Sequence, residues 1–121
     1  MKLDGFTYSV GWKKKEEISY YGNKMSITVK IQAYDEKAEM TVEQKENYNK
    51  YKESFETIIE KALESLVKYD NNAAKRFKPT TLLLKRDGDM GLLLDDSEDE
   101  DGGVVVDISG DYVIVEQDDY L

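Results

Sequence analysis

Six acids in seven positions are the first residues of this 121-residue sequence whose spacing could do chemistry: Asp95, Asp96, Glu98, Asp99, Glu100 and Asp101, with Ser97 among them and Gly102-Gly103 behind. Hard divalent cations take several oxygen ligands at once. A run of carboxylates also attracts basic protein surfaces. The EF-hand pattern fails in detail. With Gly102 at its sixth place, Ser97 stands first, Asp99 and Asp101 fit, and Ile108 occupies the twelfth place where a bidentate glutamate belongs.

Other chemistries are narrowed by what the chain lacks. It contains no histidine and no cysteine. That removes the commonest general base, the Ser-His and Cys-His nucleophile pairs, thiolate metal sites and disulfides. A pair of carboxylates can hydrolyse glycosides when held at a fixed separation in a cleft. With 26 acids in the chain, some pair meets that separation by chance. No GxGxxG, Walker A or nucleophile-elbow pattern is present. The expectation is a chain that is not an enzyme and carries no cofactor.

Charge is segregated along the chain. Residues 1–34 hold six lysines against three acids, and residues 35–69 six lysines against nine acids. Residues 70–86 hold five bases and one acid, whereas residues 87–121 hold thirteen acids and no Lys or Arg. Such a field repels nucleic acid and suits a basic protein partner. The basic stretch Lys75-Arg76-Phe77-Lys78, with Lys85 and Arg86, is read as an internal counterpart of the acidic segment. Nine tyrosines supply amphipathic rings for core edges and interfaces. Of these, Tyr20, Tyr21, Tyr34 and Tyr112 are candidates for exposure.

The elements that must position these residues follow from periodicity. The length fits one domain spanning residues 1–121. Phe6, Tyr8, Val10 and Trp12 alternate as one face of a strand, and Lys13 to Glu17 reads as a charged turn. A short strand over 18–21 and a Gly22-Asn23 hairpin signal lead into a strand with Met25, Ile27, Val29, Ile31 and Ala33 on one face. Thr41 followed by Gln44 is a capping-box pattern. The stripe Tyr48, Tyr51, Phe55, Ile58, Ala62 and Leu66 then predicts a helix over 42–68, ended by Asp70-Asn71-Asn72. Strands are expected over 80–86, 90–94, 104–108 and 112–116, with residues 95–103 as an acidic loop. The fold class is α+β: an antiparallel sheet, of N-terminal strands plus a C-terminal four-stranded meander, packed on one long central helix. Met1-Lys2-Leu3-Asp4 has no apolar run behind it, and no segment reaches ~20 apolar residues. Neither a signal peptide nor a membrane partner is expected, and a cytoplasmic location is.

From about Trp12 onward the order of motifs resembles an uncharacterised family of small bacterial α+β domains. The resemblance rests on Met40-Thr41-Val42-Glu43-Gln44 at the helix start, Tyr48, Phe55 and Val67-Lys68-Tyr69 along it, and Phe77-Lys78-Pro79-Thr80 after it. It continues in Gly91-Leu92-Leu93-Leu94-Asp95 and in the closing strand before Gln117-Asp118. The family pattern has Trp-Asp-x-Glu-His-Gly after the glycine-leucine strand. Here Asp99, an acid at Asp101 and Gly103 match, while the Trp and His are replaced. Similar small acidic domains look like immunity proteins of bacterial toxin systems. The family itself implies no activity; size, acidity and charge segregation, with that likeness, lead to the expectation of a protein-binding module, of the immunity type with a basic toxin as partner, and of Asp95, Asp96, Glu98, Asp99, Glu100 and Asp101 as its contact residues. A cation-binding regulatory domain using residues 95–101, or a structural domain without specific activity, are the alternatives.

Overall fold

The computed structural model describes residues 3–121; Met1 and Lys2, part of the leader expectation, lie outside the described residues. Seven strands form one sheet in chain order: β1 (Thr7–Tyr8), β2 (Trp12–Tyr20), β3 (Asn23–Ile31), β4 (Phe77–Leu84), β5 (Met90–Asp96), β6 (Asp99–Asp107) and β7 (Val113–Glu116). A long helix α1 (Val42–Tyr69) and a single turn α2 (Ala73–Arg76) join β3 to β4, and α3 (Gln117–Tyr120) closes the chain. All neighbouring strands are antiparallel except β3 and β4, which run parallel with Val29 opposite Leu82. The wholly antiparallel sheet expected from the sequence is therefore corrected at one joint. A parallel pair needs a crossover, and α1 is that crossover.

The expected charged turn over 13–17 is also corrected. The chain turns at Val10-Gly11, where both residues have positive φ (53° and 113°). Lys13 to Glu17 then lies within β2, paired with β3 along its whole length. Charge is tolerated there because β2 is an edge strand for most of its run; β1 covers only Trp12 and Lys13. The β2–β3 turn has positive φ at both Tyr21 (48°) and Gly22 (88°), the two-residue turn that matches strand twist.

One face of the sheet carries Ile27, Val29, Ile31, Leu82, Leu84, Leu92 and Val106, all at most 1% exposed. Against it α1 lays Tyr51, Ile58, Ile59, Ala62, Leu63 and Leu66. The helix departs from helical geometry at Ser54 (φ −137°, ψ 27°), so its two parts follow the sheet as a bent rod. The opposite face is covered only in part. Tyr120 of α3 packs there on Leu83 and Val105.

Half of the capping box forms. Thr41 Oγ1 accepts from the Gln44 N–H at 3.1 Å. The Gln44 side chain turns inward instead, and its Nε2 donates to the carbonyls of Gln32 (2.8 Å) and Leu84 (3.1 Å). It thereby ties the helix start to the ends of β3 and β4.

Candidate functional site

The acidic segment is a hairpin, not the loop expected from its composition. β5 runs to Asp96, Ser97 and Glu98 make the turn, and Asp99 opens β6. Asp96 pairs with Asp99, yet Asp95 pairs with Gly103. Glu100, Asp101 and Gly102 therefore bulge out of the ladder between those pairs. The pleat sends Asp95 and Asp96 to opposite faces. Asp95, Asp99, Glu100 and Asp101 are exposed, whereas Asp96 is buried.

Arg76 explains that inward acid. Its Nε and Nη2 donate to Asp96 Oδ1 and Oδ2, both at 2.9 Å, a two-pronged pair of matched planar groups. Its Nη1 donates to Asp70 Oδ2 at 2.9 Å, and Nε lies 3.0 Å from Glu98 Oε2. The Arg76 carbonyl also accepts from the Ser97 N–H at 2.9 Å. One guanidinium thus joins the end of α1, the end of β5 and the hairpin turn. Its hydrogen bonds hold the Asp96 carboxyl below the ordinary carboxylate range. Asp70 is lowered too, first by the Asn72 backbone N–H and then by Arg76. Asp96 is thus buried and held as an internal anchor, unlike its exposed neighbours, and Glu98 is shared with Arg76.

Of the other basic residues of that stretch, Lys85 Nζ donates to the Tyr120 carbonyl at 2.8 Å and Arg86 Nη1 to the Glu39 carbonyl at 3.0 Å, whereas Lys75 and Lys78 are exposed. Among the described residues no three acidic side chains converge in a geometry that could hold a metal ion. Asp95, Asp99, Glu100 and Asp101 face solvent.

A second concave region lies where β2 meets α1. Three clefts follow one another along it. The first, of about 580 Å³, is walled by Phe6, Lys14, Glu16, Tyr48, Tyr51 and Phe55. Glu16 accepts there from the Tyr51 hydroxyl at 2.9 Å and pairs with Lys14 at 3.2 Å. Burial, and then the Glu16 carboxylate, push the Tyr51 hydroxyl above its ordinary value. The second cleft, about 230 Å³, is lined by Ile18, Phe55 and Ile59, with Glu56 and Glu60 of α1 and the Glu17 and Ser19 positions of β2 at its borders. The third, about 570 Å³, is bounded by Ser19, Tyr21, Glu60, Leu63 and Val67. Phe55 is shared by the first two, and Ser19 and Glu60 by the last two, so the clefts form one groove.

The sequence signals neither the Arg76 anchor nor the groove. Arg76 and Asp96 come together only when β4 pairs with β5, and the groove needs two elements some forty residues apart. One hint was present: the period-two placing of Lys14, Glu16 and Ile18 within the charged run. Among the described residues no helix is long and apolar enough to cross a membrane. Comparison of the chain with family models, with curated proteins and with solved structures found no match.

Proposed function

We propose that this chain is a non-catalytic protein-binding module that presents its acidic hairpin to a basic partner. The observation that carries it is the Arg76 anchor. By fixing Asp96 and the turn, it holds Asp95, Asp99, Glu100 and Asp101 on a braced β-hairpin. Charges held in place in the free protein lose little freedom on binding, and they steer a complementary surface into contact. An inhibitor of the immunity type, covering a basic surface of a bacterial toxin, is the form that the motif resemblance and the charge segregation support.

The test is affinity capture with immobilised protein at low and high salt, run in parallel with a variant carrying Asp95→Asn, Asp99→Asn, Glu100→Gln and Asp101→Asn. The expected result is a basic protein retained by the wild type, released by added salt, and lost from the variant. Equal retention by both baits would refute the hairpin as the contact surface.

A further inference from the structure

We propose that the groove between β2 and α1 receives an extended segment of a partner protein, added as a strand to the free edge of β2. An arginine or lysine of that segment fills the middle cleft, and apolar side chains fill the clefts on either side. This surface lies apart from the acidic hairpin and goes beyond the function proposed above.

The edge is open. Beyond Lys13 no described residue pairs with the outer side of β2. The N-terminal chain leaves that edge through a turn closed by the Phe6 N–H on the Leu3 carbonyl (3.1 Å), and it walls the first cleft instead. In a hairpin closed by a two-residue turn the flanking pair, here Tyr20 and Asn23, is hydrogen-bonded. Alternation then points the N–H and C=O groups of Lys15, Glu17 and Ser19 outward. Those groups are a ready template for another strand.

The clefts match what such a strand would bring. Alternate side chains of a strand share one face and repeat about every 6.8 Å. On the helix-facing side, successive ones would run along the groove, whose three clefts follow one another through shared Phe55, Ser19 and Glu60. The middle cleft has an apolar floor of Ile18, Phe55 and Ile59 and a rim of Glu56 and Glu60, which suits a basic head on an apolar stem; Glu17 turns to the other sheet face, where it pairs with Lys24 at 3.7 Å. Glu56, Glu60 and Glu64 stand four residues apart on α1 and form no ion pair among the described residues. Like charges at that spacing repel, and a cation laid along them relieves it. Lys52 and Lys68 bound the stripe at its two ends, which confines the basic residue to the centre.

The probe is an acetylated fluorescent heptapeptide, threonine-leucine-threonine-arginine-threonine-leucine-threonine, titrated with the full chain by anisotropy and followed by amide NMR. Saturable binding is expected, with slowed amide exchange at Lys15, Glu17 and Ser19. Glu56→Gln with Glu60→Gln, or glutamate for arginine in the peptide, should weaken it about tenfold or more. Ser19→Pro should abolish it, since an edge strand accepts proline where its N–H faces outward. If that variant fails to fold, the glutamine pair on the helix surface still decides. The four-site hairpin variant should bind the peptide unchanged, which separates this surface from the other. No binding at millimolar peptide, or equal affinity for the arginine and glutamate peptides, would overturn the proposal. So would edge-amide protection that rises with protein concentration alone, because a second copy would then be the occupant.

Discussion

Arg76 governs how much of the acidic run faces solvent. A lone buried carboxylate is costly to desolvate, and here a two-pronged partner offsets that cost. Asp96→Asn keeps the shape and removes the charge. It should lower the melting temperature by roughly 5–10 °C at neutral pH, read by calorimetry. The pH dependence follows from the depressed Asp96 and Asp70 carboxyls. As pH falls, the unfolded chain takes up these protons first, in the ordinary carboxylate range near ~3.9. Their contribution is therefore fully present above that range and is lost as pH falls through the lower folded values. The gap in melting temperature between wild type and Asp96→Asn should be constant from neutrality to about pH 5 and shrink below about pH 4. A gap that persists undiminished at pH 2 would rule out the ion pair as its origin. The sequence shows six neighbouring acids as equals. Only the pleat and the approach of Arg76 from twenty residues upstream separate Asp96 from the rest.

At the scale of elements, α1 and β3 were legible because their buried positions repeat cleanly, at steps of three and four and of two. The Thr41 cap was legible because it acts within one turn. β2 was not, since an edge strand needs few apolar residues and so resembles a charged turn. The acidic hairpin was hidden for the same reason: its backbone pairing carries no hydrophobic signature. The short α3 was missed because one turn has no period. Its role shows in Gly91 of β5, where an added Cβ would come 2.6 Å from Val105 Cγ1 and 2.9 Å from the Tyr120 ring. The glycine leaves room for the hydroxyl end of the ring against the outer face. Gly91→Ala should displace α3 and cost about 1–3 kcal/mol in urea denaturation. An unchanged midpoint would mean that α3 contributes nothing to stability.

Across the whole molecule, strand order follows chain order, so the charge order of the sequence becomes a charge order in space. Lys13, Lys15 and Lys30 stand on β2 and β3, and the acids gather on β5 to β7 and beyond. The sequence displayed that segregation as blocks, but the joint between the halves was not readable. Nothing local in β3 or β4 declares a parallel partner. That joint also sets how the chain reaches this state. Every other strand pair is a hairpin whose ends meet quickly, whereas Val29 meets Leu82 only after a loop of roughly fifty residues closes. The entropy of that closure is spent before the contact returns anything, so the joining of β3 to β4 is expected at the kinetic barrier. Val29→Ala should slow refolding roughly tenfold in stopped-flow measurements. Val115→Ala in β7 should mainly speed unfolding. If Val29→Ala leaves the refolding rate unchanged, the halves join after the barrier, and the hairpins themselves are the slow step.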